Sequence, residues 1–287
     1  MRLLVFGQTG QVAREIAALA GPDLGIETLA RAEADLTDPA ICAAQIGVTD
    51  ADVVINAAAY TAVDKAESEE DLAHLVNAEA PGAMAEAAAE RGLPFLQVST
   101  DYVFDGRGER PWREDDPTGP LGAYGRSKLA GEAAVAAVGG AHVILRTSWV
   151  FSAHGANFVK TMLKAGAERD RLRVVDDQHG GPTAAADIAA ALVHIARAFV
   201  EDRGVSGVFH YGGAPHVSWA GFARAIFAET GWPAPPAVDP IATADWPTPA
   251  RRPANSTLDC TRIAETYGLA APDWRPALSE VVTALIR

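Results

Sequence analysis

Along the first half of the chain, short apolar runs alternate with stretches in which apolar residues recur every three or four positions. Buried parallel strands alternating with amphipathic helices produce this pattern. Residues 2–6 form the first run, and after Gly7-Gln8-Thr9-Gly10 the residues Val12, Ile16 and Leu19 stand at core-like helical spacing. Residues 25–31 and 52–56 predict the next two strands, 67–73 and 76–89 predict helices, and 93–101 a strand with a polar tip. A further strand is expected at 143–147. Regular strand–helix alternation predicts an α/β fold with a Rossmann-type, doubly wound parallel sheet and right-handed crossovers.

Beyond residue 150 the alternation weakens. A helix over the mouth of the site is expected at 157–166, a strand at 172–176, and a tight turn at Gly180-Gly181-Pro182. A helix at 187–200 and a strand at 207–213 follow, the strand returning to the main sheet. Residues 219–230 predict a helix, 232–253 a proline-rich connector, and 263–267 and 278–286 closing helices. This assigns 1–150 to a dinucleotide-binding domain, with segments of about 172–215 returning to it. Residues 151–287 are mainly a smaller, interleaved C-terminal substrate-binding lobe.

The composition narrows the class. The 49% hydrophobic content of the 287 residues is scattered in short runs, and none reaches the ~18 to 20 apolar residues of a membrane span. The opening run is too soon broken by Gly7 for a signal peptide. A net charge of −13 disfavours nonspecific nucleic-acid binding. Cys42 and Cys260 stand far apart with no metal-type spacing, which fits a reducing compartment. The expectation is a cytoplasmic protein with a small-molecule partner, no nucleic acid, no membrane and no metal ligands.

Three stretches carry chemistry. Gly7-x-x-Gly10-x-x-Ala13 between a strand and a helix is a phosphate site, because backbone amides and the helix dipole converge there on an anion. The second strand ends in Arg31 rather than the acid that NAD ribose hydroxyls attract. Arg31 faces a 2′-phosphate, stacks on adenine, or is a solvated surface residue. Tyr124 and Lys128 lie one helical turn apart on one face. An ammonium held near the phenol would lower its pKa and ease proton exchange with a carbonyl or alcohol; an exposed tyrosine beside a solvated lysine is the plainer reading. Arg251 and Arg252, in a polar stretch, either meet a diphosphate or solubilise a turn.

Val98-Ser99-Thr100-Asp101-Tyr102-Val103-Phe104-Asp105-Gly106, then Tyr124-Gly125-Arg126-Ser127-Lys128, then Asp177-Gln178-His179-Gly180-Gly181-Pro182-Thr183, occur in that order. Together with Glu114-Asp115-Asp116-Pro117, Arg146-Thr147-Ser148-Trp149 and Arg252-Pro253-Ala254-Asn255-Ser256, they resemble the dTDP-4-dehydrorhamnose reductase family. That family belongs to the extended short-chain dehydrogenases/reductases, and the likeness runs through nearly the whole chain.

The resemblance implies NADPH- or NADH-dependent reduction of the C4 ketone of dTDP-4-dehydro-L-rhamnose. This is the last step to dTDP-L-rhamnose, a precursor of cell-surface polysaccharide. It makes Thr100, Tyr124 and Lys128 the catalytic triad, and Asp101 and Trp149 contacts to the sugar nucleotide. It places Gly7, Gly10, Gln11 and Val12 at the pyrophosphate, Asp35 and Leu36 beside adenine, and Ala59, Tyr60 and Thr61 at the nicotinamide ribose. Tyr60 stands where relatives commonly have histidine. Some relatives bind Mg2+ at a dimer interface, but no residue here is assigned to it, and the chain is expected as a monomer or homodimer. The alternatives are another nucleotide-sugar epimerase, dehydratase or 4-ketoreductase, or a non-catalytic nucleotide-binding regulatory subunit. Thr100-Asp101-Tyr102 lacks the second acid usual in dehydratases, and the retained triad argues against a regulatory subunit.

Overall fold

The computed structural model describes residues 1–286. The chain opens with β1 (Arg2–Phe6), α1 (Gln11–Ala18), β2 (Gly25–Leu29), α2 (Pro39–Val48) and β3 (Val53–Asn56). Side chains of β1 alternate between the sheet's two faces, Leu3 and Val5 meeting α1, Leu4 and Phe6 meeting α2. Val12 and Ile16 are buried as expected, but Leu19 is exposed because α1 stops at Ala18 and the next residues turn away. Asp38 caps α2 by accepting from the amides of Ala40 and Ile41.

After β3 come α3 (Val63–Ala66) and α4 (Glu70–His74), which continues through a π-helical turn, Leu75–Glu79, into α5 (Ala80–Glu90). The expected helices at 67–73 and 76–89 are therefore one continuous helix over 70–90 with a single widened turn. That turn swings Asn77 into the seam against α6 (Ala123–Val138), which follows β4 (Phe95–Thr100) and a short 3-10 turn at Asp101–Val103. The seam is tight: a Cβ on Gly131 of α6 would lie 2.0 Å from the Asn77 carbonyl oxygen.

The remaining elements are β5 (His142–Thr147), β6 (Val150–Phe151), α7 (Phe158–Glu168), β7 (Arg171–Val175), β8 (His179–Gly180), β9 (Thr183–Ala184) and α8 (Ala185–Val200). They continue with β10 (Gly207–His210), β11 (Val217–Ser218), α9 (Trp219–Ala228), β12 (Ala237–Ile241), β13 (Asn255–Ser256), α10 (Thr261–Tyr267) and α11 (Trp274–Ile286). Six parallel strands make the main sheet in the order β10-β5-β4-β3-β1-β2. Helices α1 and α8 cover one face, and α2, α5 and α6 the other. This is the doubly wound α/β architecture the alternation predicts. Connections leave in opposite directions from β1 and β3, so a crevice opens at their carboxyl ends.

Two expectations change in the second half. The strand expected at 172–176, within the segments of about 172–215 assigned to the main sheet, pairs instead with β12, on a separate core of Leu172, Val174, Ala220, Ala223 and Phe227. Its alternating burial suits a strand covered on one side only. The return begins with α8 and is completed by β10, which pairs with β5. Strand β12 was read as part of a proline-rich connector. Pro240 sits within it, which an edge strand tolerates because no second neighbour needs the missing N–H.

Replacing Gly131 by Ala should drive α6 off the π-turn and destabilise the fold by about 2–3 kcal/mol, the cost of overpacking a dense seam. Denaturant unfolding reads this directly; an unchanged midpoint would show that the seam yields.

Candidate active site

The crevice is a cleft of about 1110 Å³, beyond the roughly 300–1000 Å³ typical of a single small-molecule site. It is lined at one end by the turn after β1 and at the other by the tips of β4 and β5, with Tyr124 and Lys128 of α6 on its wall. All the residues assigned from the sequence lie on its lining except Arg252.

At the first end Gly7 has φ +108°, a conformation other residues avoid. A Cβ there would stand 3.5 Å from Ala13 Cβ and from the backbone of Ala57, so the turn lies close against the end of β3. The amides opening α1 have no side-chain cap, which leaves them free for an anion. Gln11 reaches the other way: its Oε1 accepts from Ser152 Oγ and from Asn157 Nδ2, each at 2.8 Å. Asn157 also caps α7. The phosphate turn is thereby tied to the C-terminal lobe.

Arg31 is 79% exposed along its side chain and reaches Asp35 at 2.9 Å. The Thr37 amide and then Arg31 hold the Asp35 carboxyl below its usual value. Leu36 is buried beside this pair. Tyr60 is held by its backbone, since its N–H donates to Asn77 Oδ1 at 2.8 Å and its carbonyl accepts from Asn77 Nδ2 at 3.0 Å. Its hydroxyl donates to Glu69 at 2.6 Å, and this bond pushes the phenol up to about 12.

At the other end, Thr100 Oγ1 donates to Asp101 Oδ1 at 3.2 Å and accepts from the Tyr102 amide. Tyr124 is half-buried, its ring set edge-on to Tyr102 at 5.6 Å. The protein crowded around its hydroxyl raises the phenol well above its ordinary value; Thr100 opposes this, and Asp101 and Tyr102 add to it. The expectation that Lys128 depresses this phenol is corrected. The Lys128 ammonium turns down the helix and donates to the Val98 carbonyl at 2.7 Å. Tyr124 therefore rests protonated, ready to donate. Burial pulls Lys128 down to about 8.

Among the described residues, the buried side-chain polar atoms without partners are Asp101 Oδ2 and Thr147 Oγ1. Both residues line the cleft, Asp101 just after β4 and Thr147 at the end of β5. Such atoms cost free energy unless a ligand satisfies them. Burial pushes the Asp101 carboxyl up to about 7, against weaker support from Ser256 and Thr100.

Trp149 closes the lobe side. Its φ is +47°, rare for an aromatic residue, and its ring stacks on Trp219 with centroids 3.5 Å apart. Gly180 makes room beneath: a Cβ there would lie 2.4 Å from the Trp149 ring. Arg252 is not brought to the cleft. Its guanidinium pairs with Asp64 at 2.7 Å, behind Tyr102.

Sequence reasoning missed the residues that hold this constellation. Glu132 accepts from Arg146 through both oxygens, at 2.6–3.1 Å, and from Ser99 Oγ. Both ion-pair side chains are 5% exposed. A charge inside the apolar run of β5 was the available signal, since an arginine there demands a buried partner. Asn77 had no such signal, because the π-turn that aims it is a tertiary outcome. No three His, Cys, Asp or Glu side chains converge as a metal site among the described residues.

A family model described as the RmlD substrate binding domain matches residues 1–287. A dTDP-4-dehydrorhamnose reductase of Sinorhizobium fredii is 46% identical, over 100% of this chain and 98% of its own. The crystal structure of a dTDP-4-dehydrorhamnose reductase from Clostridium acetobutylicum superposes with a TM-score of 0.92 at 37% identity, covering 100% of both chains. The Bacillus anthracis dTDP-4-dehydrorhamnose reductase in complex with NADP also gives 0.92, at 30% identity and 99% coverage of each chain.

The Asp101 shift sets a pH-dependent stability. A carboxyl at about 7 when folded and near 3.8 when unfolded holds its proton longer in the folded state. Its ionisation is a burden that appears as pH rises through this window and is complete above about 7. Asp101→Asn should therefore raise Tm at pH 8 and have little effect at pH 4. An equal effect at both would mean that Asp101 is ionised throughout.

Proposed function

The chain belongs to the RmlD substrate-binding-domain family, that of the dTDP-4-dehydrorhamnose reductases, and from that premise we propose that it reduces dTDP-4-dehydro-L-rhamnose at C4 with NADPH, yielding dTDP-L-rhamnose. The observation that carries the reading is the joining, in one cleft, of a phosphate-binding turn to a protonated tyrosine beside a buried lysine.

The residues fit a dinucleotide. Gly7, Gly10, Gln11 and Val12 would hold the pyrophosphate on the open amides of α1, with Asp35 and Leu36 beside adenine. Ala59, Tyr60 and Thr61 would border the nicotinamide ribose, where Lys128 also reaches. Arg31, at the mouth, would meet a 2′-phosphate by exchanging its bond to Asp35 for a charge-assisted one. When bound, NADPH supplies the hydride that goes to carbon.

Tyr124 would donate the proton to the ketone oxygen. Its raised pKa keeps that proton in place until charge develops on the substrate, and general-acid help of this kind is worth about 10²–10⁴ in rate. Thr100 Oγ1 would donate to the same oxygen as charge develops on it, and the Lys128 ammonium would hydrogen-bond the nicotinamide ribose. Asp101 and Thr147 offer unpaired polar atoms to the sugar hydroxyls, and Trp149 an apolar wall. Arg252 would serve the diphosphate only by leaving Asp64. We read residues 1–150 with α8 and β10 as the cofactor domain and the rest as the substrate lobe, in a cytoplasmic enzyme.

Incubation with dTDP-4-dehydro-L-rhamnose should consume NADPH and release the 4-hydroxy sugar in equal amounts; redox-neutral turnover would overturn the reading. Arg31→Ala should lower the preference for NADPH over NADH by about tenfold, the worth of one charge-assisted hydrogen bond. An unchanged ratio would remove Arg31 from the cofactor site.

A further inference from the structure

Glu132 lies four residues beyond Lys128 on α6, so both side chains are buried on the same face of the helix. They meet consecutive residues of β4: Lys128 donates to the Val98 carbonyl and Glu132 accepts from Ser99 Oγ. It is 4% exposed, and its hydrogen bonds from Arg146 of β5 and Ser99 of β4 pin it to the sheet. A carboxylate so held cannot swing away, and in a site this dry its field reaches the neighbouring turn with little screening. We propose that Glu132 is a positioning residue for the reduction: fixed to the sheet by Arg146 and Ser99, it keeps Lys128 charged at its seat on the Val98 carbonyl. The proposal rests on the catalytic reading of Lys128.

The surroundings of Lys128 support this assignment. Asp101 and Tyr102 follow β4, Arg146 stands on β5 with His210 behind it, and Tyr124 lies on the same helix. Burial among them drives the ammonium toward the neutral amine. Glu132 is the group that opposes that loss. Without it Lys128 would spend more of its time uncharged near neutral pH, a weaker donor toward the nicotinamide ribose.

The chain has four lysines, Lys65, Lys128, Lys160 and Lys164, so carbon-13 lysine labelling gives four titration curves. Lys128→Arg identifies its own by deletion. In Glu132→Gln the Lys128 midpoint should fall by about one to two pH units, the effect of removing one unit charge a helical turn away at an effective dielectric near 20. The alkaline limb of kcat should move down with it, and in the Lys128→Arg background Glu132→Gln should leave that limb unmoved. A midpoint that stays put overturns the proposal, because a purely structural role would not hold the charge. A midpoint that moves while the kcat limb stays overturns the catalytic reading of Lys128 instead. Should Glu132→Gln fail to fold with Arg146 unpaired, the double variant Glu132→Gln/Arg146→Met removes both charges. The midpoint should still fall, by less than in the single variant because a cation leaves with the carboxylate, and a midpoint at or above the wild-type value overturns the proposal.

Discussion

The buried ion pair between Glu132 and Arg146 is the contact on which the site depends. It joins the middle of α6 to β5, and through Ser99 to β4, so one carboxylate indexes α6 against both strands whose tips line the cleft. Such a pair is an uncertain source of net stability, because desolvation offsets attraction. Losing one partner is another matter and costs about 3–5 kcal/mol, since the other charge is left buried alone. Its contribution is therefore to register: α6 cannot slide or rotate without breaking it. His210, packed beside Arg146 and pulled down to about 3 by burial, stays neutral and adds no competing charge.

Register at this helix is reinforced from the opposite side. Gly131 admits the π-turn at contact distance, and Asn77 within that turn bonds both Ser127 of α6 and the backbone of Tyr60. The loop after β3 and α6 are thus held by one amide. Glu67 accepts from the amide of Ala123 at 2.8 Å and caps the start of α6, one residue before Tyr124. Three contacts from different elements fix the helix along its length. The phenol is accordingly placed by the sheet and the π-turn, and its protonation by the density of protein around it.

Much of this was legible in the sequence where the chemistry is local. Gly7 and Gly10 announce a turn because backbone must approach a ligand, and the strand–turn–helix order at the first residues supports it. Short runs such as Val53 to Asn56 read as parallel strands because both faces are covered. The tip at Thr100 and Asp101 was visible as a polar end to an apolar run. What was not legible is what tertiary packing decides. Nothing local predicts a π-turn at Asn77, a strand through Pro240, or a lysine that turns to a carbonyl of β4 rather than to its tyrosine. Arg252 is a further instance: its sequence context suggested an anion, and the fold supplied Asp64 first.

The central claim is that Tyr124, held protonated and pinned on α6, delivers the proton. Its most direct test is the kcat/KM split of Tyr124→Phe, a change that removes one oxygen and leaves the ring packed on Tyr102. The account requires kcat to fall by about 10²–10⁴, the range of general-acid catalysis, while the KM for the sugar nucleotide changes little. A variant that turns over at the wild-type rate would contradict it.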